Sequence, residues 1–174
     1  TVTPAPALSV TEDALVFTEV FLGGSTNRDL VVANAGTEPL SLTDATTNGP
    51  FSVAVETPRV LAPGERTVLV VTAEGGTLGT QTGQLVLASD DPTDPEVIVP
   101  LESNGTEPPR LQDLPDRIDH DLIAGATAAN EVALTNEGAH ALTFEVANDL
   151  PGWLRAGPGE GAVGPDETGT LALR

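Results

Sequence analysis

The sequence predicts an all-β chain: two tandem immunoglobulin-like β-sandwiches, the second lacking its last strands. Three observations predict it. Short apolar runs of Val, Leu and Ala are broken by 18 Gly and 15 Pro spread along the chain, the punctuation of many strands and turns. No stretch carries a helical apolar stripe with caps. The chain also resembles itself at an offset of 102 residues, the size of one sandwich and too long for a solenoid unit.

The elements follow in order. Residues 1–7, with Pro4 and Pro6, form an extended N-terminal segment, and the first sandwich spans 8–103. Its strands are expected near Leu8–Val10, Leu15–Phe17, Arg28–Ala33, Leu40–Thr46, Phe51–Val55, Arg66–Ala73, Gly83–Ser89 and Val97–Leu101. Leu30 and Val32, like Leu69 and Val71, recur with the two-residue period of a half-buried strand. Asn34-Ala35-Gly36 ends in a glycine, read here as the positive φ of a hairpin turn. Ala62-Pro63-Gly64-Glu65 reads as a Pro-Gly turn, with further turns at Gly75-Gly76 and Asp90-Asp91-Pro92.

Residues 104–109 read as a short polar linker, semi-stiff because of Pro108 and Pro109. That linker predicts repeats strung end to end. It contains the formal glycosylation sequon Asn104-Gly105-Thr106.

The second sandwich spans 110–174. Gly23 to Val71 aligns onto Gly125 to Leu173 without a gap. Leu40 and Leu42 fall on Leu142 and Phe144, Phe51 on Trp153, and Leu61-Ala62-Pro63-Gly64-Glu65 on Val163-Gly164-Pro165-Asp166-Glu167. Nothing matches the two strands that close repeat one. The alternatives are a chain that is part of a longer protein, a second domain that closes differently, or a slot filled by a strand from another subunit. Thr1 to Val10 is then a candidate donor, against which Pro4 and Pro6 count because proline gives no ladder N–H.

Composition narrows the function. There are 26 Asp and Glu against 7 basic residues, all Arg, for a net charge of −19. Such a field repels phosphate backbones, which argues against nucleic acid. With no Cys, disulfides, thiol nucleophiles and zinc–thiolate sites are excluded. No apolar run approaches the ~18 residues of a membrane span. Hydrophobic residues at 39% suffice for a core. High acidity without Lys fits a salt-adapted, halophilic setting, where screening at 1 M shortens the Debye length to about 3 Å. Thr1 is not an initiator Met, so the chain is expected to be a processed form or a piece of a longer protein.

Repeat one resembles the bacterial choice-of-anchor D immunoglobulin-like modules, related to abnormal-spindle/hydin (ASH) and major-sperm-protein-like sandwiches. The residues that carry this are Asn34-Ala35-Gly36, Leu40-Ser41-Leu42, Phe51-Ser52-Val53, Pro63-Gly64, Ser89-Asp90-Asp91-Pro92 and Val99-Pro100-Leu101. The resemblance covers residues 8–105. Repeat two is a looser relative, and its Leu150-Pro151-Gly152-Trp153-Leu154 is similar to sandwich modules of bacterial hydrolases and surface proteins. The resemblance implies spacer, assembly or adhesion roles at the exterior or surface of a prokaryotic cell. It transfers no catalytic residue.

Candidate sites are few. Asp90, Asp91 and Asp94 offer carboxylates for calcium, which wants six to eight oxygens, but they miss the Asp-x-Asp-x-Asp-Gly spacing. The competing reading is a turn in which Asp90 caps the backbone and Pro92 sets φ. Asp119-His120-Asp121 is read on a strand, with His120 facing away from both carboxylates. Asp113, Asp116 and Arg117 belong to the same polar face. His140 falls in a hairpin loop. Trp153 is either a stacking platform for a sugar or, by its match to Phe51, a core aromatic. Gly157-Pro158-Gly159-Glu160-Gly161 opens no helix and reads as a turn, not a phosphate cradle. No nucleophile elbow or zinc-protease motif is present.

The sequence therefore predicts a non-catalytic, extracellular structural or assembly protein, a surface, spacer or filament subunit with no resident cofactor. Its partners are other proteins, through self-association or neighbouring domains of the same polypeptide. The alternative is an adhesin or carbohydrate-binding accessory module whose partners are glycans.

Overall fold

The computed structural model describes residues 3–147 and 149–174. Among them every regular element is a strand. The chain divides into two units, Thr1–Thr106 and Glu107–Arg174.

In the first unit, nine strands form two sheets. They are β1 (Leu8–Val10), β2 (Leu15–Phe21), β3 (Ser25–Asn34), β4 (Leu40–Thr47), β5 (Phe51–Ala54), β6 (Arg59–Leu61), β7 (Arg66–Glu74), β8 (Gly79–Ser89) and β9 (Glu96–Thr106). One sheet has the order β1-β3-β7-β5 and the other β2-β9-β8-β4-β6. All pairs are antiparallel except β2 with β9, which run parallel.

Alternation explains the layering. Along β7, Thr67, Leu69, Val71 and Ala73 are buried while Arg66, Val68 and Glu74 are exposed. Leu30 and Val32 on β3, Leu40 and Leu42 on β4, and Leu85 and Leu87 on β8 are fully buried from both sheets. Removing one of these leucines to Ala carries a cost of about 2–5 kcal/mol.

Strands β2 and β3 run longer than expected, to Phe21 and from Ser25, and three further strands depart from the sequence expectation. β6 lies in a segment too short to show alternation, and the edge of β4 organises it. β8 begins at Gly79, in polar Gly79-Thr80-Gln81-Thr82, because β9 offers it a ladder along the whole length. β9 continues through Asn104, Gly105 and Thr106. The linker expected at 104–109 therefore starts as strand, and the sequon lies within the ladder.

The second unit holds β10 (Asn130–Thr135), β11 (Leu142–Glu145), β12 (Ala156–Gly157), β13 (Glu160–Val163) and β14 (Thr168–Leu173). Their order is β10-β14-β12 in one sheet and β11-β13 in the other. These are the counterparts of β3, β7, β5, β4 and β6. The core is small: Val132, Leu134 and Val163 are buried, with Phe144, Leu171 and Leu173 packed on them and half-buried. Their first-unit counterparts Leu42, Leu69 and Val71 are at 0% exposure.

The repeat extends to individual hydrogen bonds. The Asn34 side chain is buried and donates to the carbonyls of Glu38 (2.8 Å) and Leu61 (2.9 Å), while its oxygen accepts from Gly36 N–H (2.9 Å). Buried Asn136 donates to His140 (2.7 Å) and Val163 (3.0 Å) and accepts from Gly138 N–H (3.0 Å). Glu65 accepts from the N–H of Ala62 at 2.9 Å and Glu167 from that of Gly164 at 3.1 Å. Each asparagine thus closes one corner, tying the end of a strand to the loop after it and to the opposite sheet.

Gly36 and Gly138 are not at positive φ, contrary to the hairpin reading. Space requires them instead. A Cβ on Gly36 would collide with the Ala5 carbonyl and the Ala7 N–H, and one on Gly138 with the Pro108 carbonyl and the Arg110 N–H. The chain entering each repeat crosses directly over its glycine. Positive φ belongs to the next turn, at Gly64 (79°) and at its counterpart Asp166 (55°).

Strand pairing departs from the repeat offset at two places. Leu8 pairs with Asn34 but Leu111 with Asn136, one residue beyond the repeat offset. Pro109, at the position of Ala7, has no N–H to give, and Arg110 donates to the asparagine instead. On β12 the pairing is Ala156 with Leu173, where the repeat offset sets Arg155. A one-residue slip turns each side chain to the other face.

Candidate functional site

The Asp90–Asp94 turn is a structural corner. Asp91 is buried, and one carboxylate oxygen accepts from the N–H of Leu8 at 2.8 Å. The other accepts from Thr93 at 2.8 Å and Asp94 at 3.3 Å. The Leu8 bond first, then that of Thr93, hold this carboxyl below its ordinary value of 3.8, against the opposing effect of burial. Asp90 instead binds the neighbouring strand β4 of the same sheet, accepting from Ser41 N–H at 2.7 Å. The residue that caps the turn is therefore Asp91, not Asp90.

The carboxylates of Asp90 and Asp91 face N–H groups, the positive ends of backbone dipoles, an environment set for anionic oxygen rather than for a cation. The carboxylate of Asp94 stands in the exposed part of the turn. Among the described residues no group of three or more His, Asp or Glu is placed to hold a metal ion.

The polar segment 112–129 contains no strand, which corrects the strand reading of Asp119-His120-Asp121. The cause lies in pairing: β2, at the matching place in the first unit, exists through its parallel ladder with β9. Here Arg117 pairs with Asp119, and His120 meets the Asn130 amide, all in exposed positions. Asp113, Asp116 and Asp121 are exposed as well. His140 lies in the loop between β10 and β11, its Nδ1 at 2.8 Å from the Glu107 carbonyl.

Trp153 is 79% exposed, so of its two readings the core aromatic is set aside. Phe51, its counterpart, is covered from two sides. Its ring lies 5.8 Å from that of Phe17 on β2, and it rests on the bare Cα of Gly83 on β8, where an added Cβ would come within 2.7 Å. In the second unit the one-residue slip at β12 puts Leu154, half-buried, at the place of Phe51 and turns Trp153 to the other face. Trp153 instead borders an open cleft of about 500 Å³ with Thr127, Ala128, Ala129, Arg155 and Arg174. Two of the seven arginines of this acidic chain flank its single Trp there.

A second groove, about 660 Å³, is lined by Thr143, Phe144, Glu145, Glu160 and Gly161. It follows the face of the β11–β13 ladder. None of its lining residues stood out in the sequence as a site, because none carries a recognisable motif by itself.

Three solved structures similar to the chain share little identity with it. A protein of unknown function from Porphyromonas gingivalis W83 is 18% identical at a TM-score of 0.46, covering 95% of this chain and 81% of that one. The ASH/PapD-like domain 7 of human CEP192 is 14% identical at a TM-score of 0.48, covering 62% and 91%. A chain of the Salmonella enterica SafA pilin–SafB chaperone complex is 13% identical at 0.45, covering 98% and 85%. Among curated proteins none matches the chain. Residues 6–104 match the family described as HYDIN/CFA65/VesB-like, Ig-like domain. That span is more than half of the sequence and includes both sheets of the first unit, so the chain belongs to the HYDIN/CFA65/VesB-like immunoglobulin-like domain family.

Proposed function

We propose that the chain is a non-catalytic structural or assembly module that works outside the cell, through contacts with other proteins. One observation carries this reading: the buried polar side chains that would supply chemistry are spent on the backbone. Asn34, Asn136 and Asp91 each use their polar atoms to fix a corner. The spread of acidic residues over exposed strand positions and turns supports a role as a soluble spacer, since charge discourages edge-to-edge pairing. No helix among the described residues is long and apolar enough to cross a membrane.

The test is protease shaving of intact producing cells, followed by peptide identification. Peptides of this chain released before lysis support the reading. Their appearance only after lysis overturns it.

A second reading, a carbohydrate-binding accessory module, is favoured by Trp153 standing exposed beside Arg155 and Arg174. An indole face stacks on sugar C–H groups, and guanidinium pairs with carboxylate. Binding to an array of acidic glycans that is lost in Trp153→Ala would establish it.

A further inference from the structure

Among the described strand pairs, two set like charges directly opposite each other, and both lie in the second unit. Next to Ala156–Leu173, the β12–β14 pairing reaches Arg155 and Arg174, which exchange N–H···O bonds of 2.6 and 2.8 Å. At the end of the β11–β13 ladder Glu145 stands opposite Glu160. Opposed side chains share a face, and like charges so placed destabilise a sheet. Among the described residues no ion pair involves any of these four side chains. Glu131, the next carboxylate on the arginine face, stands opposite Ala172 and pairs with neither guanidinium.

The two pairs face away from the core in opposite directions. Leu171 and Leu173 pack on the core, so Arg174 and its partner Arg155 face outward from the β10-β14-β12 sheet. Phe144 and Val163 reach the same core from the other sheet, so Glu145 and Glu160 face outward from β11-β13. Each pair has small neighbours on its own face, Gly157 and Ala172 beside the arginines and Thr143 and Ala162 beside the glutamates, so the charged heads are open to approach. The fold itself does not require the charges. In the first unit Ser52 stands opposite Thr72 at the place of the arginines, and the repeat offset sets Thr43 and Pro58 on the glutamates. Ser52, Thr43 and Pro58 are exposed although β8 and β9 complete the sheet there, so both faces are outer surfaces of the fold.

We propose that the second unit binds a second copy of the chain head to tail, the Arg155–Arg174 face of one molecule on the Glu145–Glu160 face of the next. Charge complementarity selects the occupant. Two guanidinium groups on backbones roughly 5.5 Å apart meet two carboxylates on backbones roughly 4.5 Å apart, the spacings of hydrogen-bonded and non-hydrogen-bonded antiparallel pairs. Arginine holds a carboxylate with two parallel hydrogen bonds. Covering each pair with the opposite charge removes the repulsion within it, and exposed Trp153 lies at the rim of the contact. Because the faces belong to opposite sheets, each contact leaves one face free at either end, and association runs on as an open row instead of closing as a dimer. Strand donation is not the mode for Leu8–Val10, which is committed to β3 and anchored by Asp91. Thr1 and Val2, the start of the donor considered from the sequence, lie outside the described residues. The proposal rests on the reading of the chain as an assembly module and names its partner.

The experiment measures the weight-average mass of the full chain by light scattering in 0.15 M NaCl, where repulsion between the net charges is screened beyond about 8 Å. Exposed ion pairs bind weakly, so half-association is expected on the order of 0.1–1 mM. At about 2 mM the mass should reach at least threefold that of the monomer, without a plateau at twofold. Arg155→Glu with Arg174→Glu should stay monomeric. Glu145→Arg with Glu160→Arg should stay monomeric too, although it lowers the net negative charge. An equimolar mixture of these two variants should associate again, because one presents only negative faces and the other only positive ones. The milder Arg155→Gln and Glu160→Gln should each raise the half-association concentration by about threefold, which keeps the test open if a reversed variant fails to fold. A native chain that stays monomeric at about 2 mM overturns the proposal, as does a mass that stops at twofold. Association kept by either reversed variant, or a mixture that fails to associate, overturns it as well. A monomer whose Trp153 emission responds to an acidic oligosaccharide assigns the cleft to sugar and also overturns it. In each of these cases peptides released before lysis would still uphold the module reading, with a different protein as its partner.

Discussion

The carboxylate of Asp91 receives the backbone N–H of Leu8, 83 residues earlier in the chain, at 2.8 Å. The same side chain organises its own turn through Thr93 and Asp94. A single buried anion thus locks the first strand of the first unit to the turn between its last two strands. Asp91→Asn keeps the shape but loses one acceptor oxygen and the charge. The expected cost is about 1–3 kcal/mol, the range for a buried group left unpaired. Amide exchange at Leu8–Val10 checks it, because β1 should open first.

The same bond has a pH signature. The Asp91 carboxyl is held below its ordinary value of 3.8, chiefly by the Leu8 N–H. A depressed carboxyl stabilises the fold fully above the unfolded value, and the contribution fades as pH falls through the folded one. The stability gap between the native chain and Asp91→Asn should therefore be constant from pH 5 to 7. It should shrink only below about pH 3.8. Comparing the two proteins removes the background of the other carboxylates. A gap that shrinks already between pH 6 and 5 contradicts the assignment.

Asn34→Asp takes the amide donors from the Glu38 and Leu61 carbonyls and buries a charge against them. Chemical denaturation should show a loss of about 3 kcal/mol or more, given the cost of unpaired buried groups and of an uncompensated charge. Asn136→Asp should act likewise on the second unit, where three carbonyls lose their donor. Trp153 fluorescence follows that unit selectively.

Gly36→Ala should destabilise strongly, because the new methyl meets the crossing backbone of Ala5 and Ala7. Gly76→Ala, with open space around the added carbon, should change stability by less than about 0.5 kcal/mol. Thermal melts of the pair separate a close-approach glycine from a merely exposed one. If Gly36→Ala melts with the native chain, the crossing is not the reason for that glycine.

Net charge gives the last prediction. At −19, repulsion among carboxylates opposes folding, and salt screens it. The melting temperature should rise steadily between 0.05 and about 1 M NaCl. A flat profile would remove the salt-adapted reading. The Arg28–Glu12 pair, at 3.1 Å with both side chains about one-third exposed, is too wet to reverse the trend.

What the sequence made legible was the part written in alternation. Leu30, Val32, Leu69 and Val71 declared their strands because one face must be apolar. Asn34 and Asn136 declared the repeat, though not its reason. Their corner is a long-range arrangement, and the glycine two residues on serves a backbone that arrives from the preceding segment. β6 stayed hidden because Arg59-Val60-Leu61 is too short to show alternation. Trp153 carried two readings in the sequence, and the one-residue slip at β12, which the alignment does not show, decides against the core. Phe51 is a core residue only by virtue of Phe17 and Gly83, which lie on other strands. Asp91 was visible as one carboxylate among three, but burial singled it out, and burial is a tertiary fact.

The parallel pairing of β2 with β9 sets how the first unit would bear tension. Strand β2 lies near the chain's entry and β9 at its exit, and they run side by side from Leu15–Leu101 to Phe21–Thr106. A pull applied to the two ends drags these strands past each other along their length. Their hydrogen bonds are then loaded together, in shear, instead of opening one at a time as in a hairpin peeled from its tips. Such a unit resists stretching best along the axis on which a tether is pulled.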